Sequence, residues 1–309
     1  MPSERLLRGG NPVKVRRAMN EDTQISKISE RVFVATPPNF YSYFFVGKDV
    51  AIIDSGPGQM IPWVPAAYPI ILNSLKLFGL DKASVKWLLI CEPHPDHIGG
   101  LKNLLSELPN AQVATSEKNA EEIRNVLGGT QCRIVNEGDE IDLRGARIRT
   151  VATPGHTEGQ LSFFEMNDKA IAIADSAGFM YIQEGKAMVP APFYNFRVMI
   201  ESIRKIQHLR PKMILTGHNG AITAESVAEY LDAAEKAIMK WEKEIMVALK
   251  TPRNVEELDK ILLEKFPEMK FCPNPAQTSM ISSAMTRILE LEGKIQRKTV
   301  RGKALLESV

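Results

Sequence analysis

The sequence lacks several features that mark secreted, membrane-spanning and nucleotide-dependent proteins. Its three cysteines are scattered and form no CxxC pair, so they cannot build an even disulfide framework. No run of eighteen apolar residues is present, and residues 1–30 contain no apolar core of the signal-peptide type. No glycine-rich phosphate loop indicates a nucleotide cofactor. We therefore expect a cytoplasmic protein without a membrane partner.

Net charge by itself indicates no charged partner, because the 309 residues carry a formal charge of only +2. Local charge is less even. The stretch from Lys294 to Lys303 contains five basic residues and no acidic residue. This tail could bind nucleic acid, or it could form a solvated basic face on a domain that caps the rest of the chain. We favour the second interpretation, so a nucleic-acid partner stays an alternative.

The pattern of predicted elements divides the chain into a polar N-terminal arm at residues 1–30, a core at 31–222 and a C-terminal domain at 223–309. In the core, strands come first and then alternate with helices, in an order that occurs twice. This order predicts an α/β fold with sheets at the centre and helices outside. Predicted core elements include strands at Val32–Ala35, Gln112–Thr115 and Leu161–Glu165 and helices at His97–Leu108 and Phe196–Leu209.

The C-terminal domain has a different pattern. A long helix with one apolar stripe is followed by two shorter helices and a hairpin with a basic tip. This order is typical of a winged-helix-like domain. The long helix could pack on its own core or form the seam of a homodimer.

Most residues able to bind a metal lie where predicted strands end. A turn after the apolar strand Val85–Cys91 contains two carboxylates and two imidazoles, and three later strands each end near one more candidate. Imidazole and carboxylate ligands suit zinc, iron or manganese. A single histidine in a turn is usually structural, so the prediction of a metal site depends on the whole set. The set is Glu92, His94, Asp96, His97, His156, Asp175 and His218.

The turn from Glu92 to His97 resembles the HxHxDH signature of the metallo-β-lactamase superfamily. A Pro-Gly-His-Thr motif at 154–157, an aspartate and a Gly-His pair at 217–218 follow in the family's order, and the resemblance covers residues 31–222. It implies an αββα sandwich that binds two divalent metal ions and uses a hydroxide bridging them. By this resemblance the first metal takes His94 and His156, the second takes Asp96, His97 and His218, Asp175 bridges both, and Asp54 supports the ligands from behind.

Glu92 departs from the signature, because it stands where the family has its first histidine. A carboxylate is itself a competent ligand, so we predict that Glu92 binds metal directly. The charges of two divalent ions would then be balanced by one hydroxide and the three carboxylates of Glu92, Asp96 and Asp175. The additional oxygen ligand shifts the preference from zinc toward iron or manganese. Zinc is the first expectation, and the other two metals are alternatives.

These features favour a hydrolase of thioester, ester or lactone bonds, in which Asp96 also orients the nucleophile. Its substrate would be a small molecule or a carrier-bound acyl group. Two other functions stay open: a phosphodiester or RNA hydrolase whose tail binds nucleic acid, and a non-hydrolytic diiron protein that handles dioxygen. The lack of a cysteine pair for electron delivery weighs against the last. Aromatic residues that could form an apolar substrate wall, or could only pin their loop to the core, are Phe179, Tyr181, Phe193 and Tyr194.

Overall fold

Two β-sheets form the centre of the fold. The computed structural model describes residues 25–59, 61, 64–129, 131–182, 187–272, 276–300 and 302–309, and for residues 180–182, 187 and 271 it describes the backbone alone. The first sheet has seven strands, in the spatial order β1 (Ile25–Lys27), β2 (Val32–Ala35), β3 (Ser42–Val46), β4 (Val50–Ile53), β5 (Val85–Leu89), β6 (Gln112–Thr115) and β7 (Arg133–Ile134). Neighbours are antiparallel from β1 to β4 and parallel from β4 to β7.

The second sheet has six strands, in the spatial order β8 (Glu140–Asp142), β9 (Arg147–Ala152), β10 (Leu161–Glu165), β11 (Ala170–Ala174), β14 (Met213–Thr216) and β15 (Ala221–Thr223). Strands β11 and β14 are parallel, and the other neighbours are antiparallel. Two separate hairpins pair β12 (Met180–Ile182) with β13 (Ala187–Val189) and β16 (Ile295–Val300) with β17 (Lys303–Ser308).

Helices cover the outer faces of both sheets. Along β3, Phe44 packs with Ile71 outside the first sheet, whereas Phe45 packs with Phe163 between the sheets, because successive side chains of a strand point to opposite faces. The four layers confirm the predicted αββα fold. The first sheet carries α1 (Tyr68–Leu77), α2 (Pro95–Ile98), α3 (Leu101–Glu107) and α4 (Glu117–Val126), and the second carries α5 (Phe196–Leu209), α6 (Ser226–Ala248), α7 (Val255–Lys265) and α8 (Gln277–Leu291).

Two boundaries differ from the sequence prediction. Strand β1 pairs with β2, so the predicted arm of residues 1–30 ends inside the first sheet. The single helix predicted over His97–Leu108 was wrong, because α2 and α3 are separate helices. Between them, a β-carbon on Gly99 would lie 2.4 Å from the backbone nitrogen of Gly58. The two backbones approach so closely that only glycine fits.

The C-terminal helices share one hydrophobic cluster with the second sheet. Trp241 of α6 is fully buried and stacks on Phe266 with ring centroids 4.4 Å apart, and the same cluster includes Ile171 and Ile173 of β11. Helix α6 therefore packs on the chain's own core. The division at residue 223, the winged-helix likeness, the homodimer and the cytoplasmic location stay predictions. No helix in the described ranges is long and apolar enough to cross a membrane.

Candidate metal centre

Seven side chains from four segments converge at one edge of the two sheets. Four of them follow β5, and the others follow β9, β11 and β14. All seven residues predicted as ligands are therefore brought together, and their role as ligands stays a prediction. Three groups have ligand atoms within 4.8 Å of one another: Glu92 with His94 and His156, Asp96 with His97 and His218, and Glu92 with His97 and Asp175.

Glu92 lies at the centre of this cluster and is fully buried. Its Oε2 atom contacts Nδ1 of His94 and lies 2.9 Å from Nε2 of His156. Those two nitrogens are 3.0 Å apart. The other oxygen, Oε1, lies 3.6 Å from Nε2 of His97. Each carboxylate oxygen of Glu92 thus faces a different group of histidines.

Asp175 lies between the same two groups and is 3% exposed. Its Oδ2 atom is 3.8 Å from Nε2 of His156 and 3.6 Å from Nε2 of His218. Asp96 is placed with the second group, where its Oδ2 atom lies 3.3 Å from Nε2 of His218. Asp175 thus lies between the two groups and Asp96 lies in the second, and the predicted bridging by Asp175 stays a prediction.

Three of the histidines donate a hydrogen bond from Nδ1 to an oxygen outside the set of seven. In a neutral imidazole one ring nitrogen carries the proton, so Nε2 then presents its lone pair to the centre. The pairs are His97 with Oδ2 of Asp54 at 2.8 Å, His156 with the carbonyl oxygen of Ala191 at 2.7 Å, and His218 with the carbonyl oxygen of Asn39 at 3.0 Å. Asp54 thus hydrogen-bonds a candidate ligand, and its supporting role stays a prediction.

Some buried polar atoms of the cluster have no hydrogen-bond partner among the described residues. They include Nε2 of His97, Nε2 of His218 and Oδ1 of Asp175. A buried polar atom without a partner is unfavourable unless another group satisfies it. Imidazole nitrogens and carboxylate oxygens in this arrangement fit a divalent metal ion of the zinc, iron or manganese type.

The charged groups of the cluster shift one another's pKa values. Burial raises the pKa of Glu92, but the neighbouring His156, His97 and His94 outweigh burial and hold that pKa well below its usual value. Burial lowers the pKa of His156, but Glu92 outweighs burial and raises it to about 9. Burial also raises the pKa of Asp175. Protons and metal ions therefore compete for the same imidazole nitrogens.

Unusual backbone conformations aim these side chains into the cluster. Ala174 has a φ of +45° beside a register irregularity in the pairing of β11 with β14, and such a bulge turns the next side chain, Asp175, toward the centre. Asp54 has a φ of +52° where β4 ends. A β-carbon on Gly217 would lie 3.0 Å from Cε1 of His97. The absence of a side chain at 217 lets the backbone of this loop approach the ligands.

Gly155 directs the loop that carries His156. Its φ is +141°, and a β-carbon there would lie 2.4 Å from Cα of Met199. We expect Gly155→Ala to lower the free energy of unfolding, measured by urea titration, by about 3 kcal/mol, because α5 or the loop must move. Gly293→Ala is the matched control, since Gly293 has a φ of +70° but open space around it, and it should cost about 1 kcal/mol. Equal losses would contradict the close packing at Gly155.

Two of the predicted wall residues lie beside the cluster. The ring centroids of Phe179 and Phe193 are 4.6 and 5.1 Å from those of the nearest cluster histidines. Both rings are half-buried, as is Tyr194 in the same loop as Phe193. The side chain of Tyr181 lies outside the described residues. Their contact with substrate stays a prediction.

Two buried neighbours of the cluster were not predicted from the sequence. The ring of Phe40 lies 5.1 Å from that of His97, and Nε2 of Gln160 lies 3.3 Å from Oε1 of Glu92. Gln160 follows His156 by four residues, just after the Pro-Gly-His-Thr motif, which is a usable signal. Phe40 lies in a loop without a recognisable pattern, so its place was visible only in the structure.

Known proteins share this sequence pattern. The profile of the metallo-beta-lactamase superfamily matches residues 36–218. A beta-lactamase-like protein 2 homolog of Caenorhabditis elegans is 23% identical over 216 residues, which cover 69% of this chain and 66% of that protein. A hydroxyacylglutathione hydrolase of Prochlorococcus marinus is 32% identical over 111 residues, which cover 36% of this chain and 41% of that protein. An atrochrysone carboxyl ACP thioesterase of Aspergillus fumigatus is 24% identical over 205 residues, covering 66% and 57%. The chain therefore spans about two thirds or less of the length of these relatives.

Solved structures share the fold at low sequence identity. A metallo-beta-lactamase family protein from Thermus thermophilus has a TM-score of 0.67 and 16% identity, covering 92% of this chain and 100% of that chain. A B3 metallo-beta-lactamase described as having an active-site glutamic acid has a TM-score of 0.54 and 20% identity, covering 70% and 89%. Since the superfamily profile matches more than half of the sequence and the four-layer fold agrees, this chain belongs to the metallo-beta-lactamase superfamily.

Proposed function

We propose that the chain is a metal-dependent hydrolase of thioester, ester or lactone bonds. The observation that carries this proposal is the convergence of imidazole Nε2 atoms and carboxylates from four segments on one partly open centre. Two relatives support the substrate class, since one is a thioesterase by name and another is a hydrolase of a hydroxyacyl glutathione. The proposed substrate is therefore a small-molecule or carrier-bound acyl group.

The proposed ligands form two sets, one for each of two metal ions. Bound divalent ions would polarise an acyl carbonyl and make water nucleophilic at neutral pH. Zinc is the first proposed metal, and the additional carboxylate of Glu92 favours iron or manganese as alternatives. One set is Glu92, His94 and His156, the other is Asp96, His97 and His218, and Asp175 lies between them.

Asp96 is the proposed catalytic carboxylate. Its side chain is 31% exposed and that of His94 is 37% exposed, so the cluster opens to solvent here. One oxygen of Asp96, Oδ2, lies 3.3 Å from Nε2 of His218. A carboxylate in this position can accept a hydrogen bond from the attacking water and orient it toward the acyl carbon.

The aromatic residues around the opening suit the acyl part of such a substrate. Phe179 and Phe193 flank the cluster on the side of the second sheet, and the fully buried Phe40 packs against it beside His97. Apolar walls with a few convergent polar groups are typical of sites for small organic ligands.

The test is a hydrolysis panel on the full chain, purified without added metal. Metal content is measured by elemental analysis, and rates are measured on a generic thioester, an ester and a lactone before and after chelation. We expect about two metal ions per chain and thioester hydrolysis that is lost with the metal and restored by adding it back. Hydrolysis that survives chelation would overturn the proposal. Bound iron without hydrolysis of any panel member would favour the dioxygen-handling alternative.

The basic tail gives little support to the nucleic-acid alternative, because several of its charges are already paired. Lys294, Arg297 and Lys298 each form an ion pair with a glutamate, at 3.0 Å and 3.3 Å for the first two. Arg301 lies outside the described residues. Cations that face carboxylates are less available to phosphates than free ones.

We therefore expect the full chain to show no salt-sensitive affinity for RNA. Binding would be measured by fluorescence anisotropy with a single-stranded and a duplex RNA at several salt concentrations. A protein that contacts six or more phosphates loses on the order of 10³-fold in affinity between about 50 and 200 mM salt. A fall of that size, reduced in an Arg297→Ala, Lys298→Ala variant, would promote the phosphodiester hydrolase instead.

A further inference from the structure

Gln160 is a buried amide between the candidate ligands and the second sheet. It is 1% exposed, and its Nε2 atom lies 3.3 Å from Oε1 of Glu92 and 3.4 Å from the carbonyl oxygen of Ile173. On its other side, the hydroxyl of Thr157 donates to Oε1 of Gln160 at 3.3 Å. The amide is therefore held at three points.

These partners determine which way the amide faces. Nε2 faces two acceptor oxygens, which belong to the carboxylate of Glu92 and to the backbone carbonyl of Ile173. The hydroxyl of Thr157, which faces Oε1, can donate. A flipped amide would place its oxygen against two other acceptors. Gln160 thus presents its two N–H donors to Glu92 and to Ile173.

The contact sets the direction of the Glu92 carboxylate. A carboxylate turns easily about its last torsion angle, yet the Oε2 atom of Glu92 faces His94 and His156 while Oε1 faces His97. The donor of Gln160 holds Oε1 on the His97 side. An imidazole at position 92 has no carboxylate oxygen to accept this hydrogen bond, so the amide is matched to a glutamate.

We propose that Gln160 is a positioning residue, which orients the Glu92 carboxylate so that one oxygen faces each set of candidate metal ligands. This inference rests on the proposed metal-dependent function. Removing a partner that orients a metal ligand typically lowers metal affinity by about 10- to 100-fold. Loss of the Gln160 amide weakens metal binding by that order, and only while residue 92 is a glutamate.

The test is a double-mutant cycle in zinc affinity on the full chain: wild type, Gln160→Met, Glu92→His and the double variant. The Kd for Zn²⁺ is measured by competition with a chelator after bound metal is removed. When residue 92 is glutamate, we expect Gln160→Met to raise the Kd by about 10- to 100-fold. In the Glu92→His background it should change the Kd by about twofold at most, as for sites that do not interact.

Asn119→Leu is the matched control. Asn119 is also 1% exposed, and its amide donates to the carbonyl oxygens of Cys91 and Gly159, which precede Glu92 and Gln160, but it contacts no candidate ligand side chain. Its substitution should leave the Kd within about twofold. Equal losses for Gln160→Met in both backgrounds, or an equal loss in Asn119→Leu, would mean a general structural effect and would overturn the inference.

A second variant keeps the test open if Gln160→Met does not fold. Thr157→Val keeps the amide but removes the hydroxyl that donates to its oxygen. The Kd for Zn²⁺ should therefore rise severalfold when residue 92 is glutamate and stay unchanged in the Glu92→His background. No rise beside Glu92 would overturn the inference. A wild-type chain that binds no Zn²⁺ would overturn the proposed function as well. If the wild type binds zinc and hydrolyses thioesters but Gln160→Met has the same Kd for Zn²⁺ as the wild type, the inference alone is overturned.

Discussion

Replacing Asp175 with alanine is expected to remove at least one metal ion per chain and to lower thioester hydrolysis by more than about 100-fold. Oδ2 of Asp175 lies within 3.8 Å of Nε2 of both His156 and His218, so the carboxylate faces both proposed metal sets. Loss of a residue that only supports a ligand typically lowers metal affinity or activity by about 10- to 100-fold. Loss of a ligand shared by both proposed metal sets should lower them further. Elemental analysis and rate measurements, with and without added metal, would test this.

Glu165→Gln is the matched control for that variant. Glu165 is likewise a fully buried carboxylate in the second sheet, but its oxygens accept hydrogen bonds from the backbone nitrogens of Asn167 and Asp168 and it belongs to none of the three ligand groups. Its substitution should leave metal content and rate within about twofold. If Asp175→Ala kept two metal ions and full activity, the bridging role would be wrong.

Replacing Glu92 with histidine is expected to strengthen zinc binding and to raise the rate of thioester hydrolysis by about tenfold. The substitution restores the usual residue of the family signature and removes one negative charge from the cluster, so bound metals become stronger Lewis acids. A change of one pKa unit in the attacking water corresponds to that factor of ten. Zinc affinity and initial rates of the zinc-loaded proteins would be compared.

Glu92→Gln separates charge from ligation. It removes the same charge without providing an imidazole, so we expect weaker zinc binding than in wild type and no gain in rate. Unchanged metal content and rate in both variants would mean that Glu92 is not a ligand, and the charge argument would fail with it. A higher reduction potential of bound iron in Glu92→His, without hydrolysis, would favour the diiron alternative.

Local patterns in the sequence determined several strands and helices and the set of candidate ligands. The strands at Val32–Ala35, Gln112–Thr115 and Leu161–Glu165 and the helix at Phe196–Leu209 have the predicted bounds, because apolar periodicity over a few residues is a local signal. The seven candidate ligands were also found locally, since each is a polar residue of metal-binding type in the segment that follows a strand. That they would share one centre followed from the topology and from the family resemblance together.

Only the tertiary structure decided how those ligands are held. The oxygens behind His156 and His218 are backbone carbonyls of Ala191 and Asn39, and the second pair is separated by 179 residues. Every residue has a carbonyl group, so such a partner has no sequence signature. The same is true of the amide contact between Gln160 and Glu92, which exists because packing of the two sheets brings the loop after β9 against the loop after β5. Long-range packing, which no local pattern encodes, orients the centre.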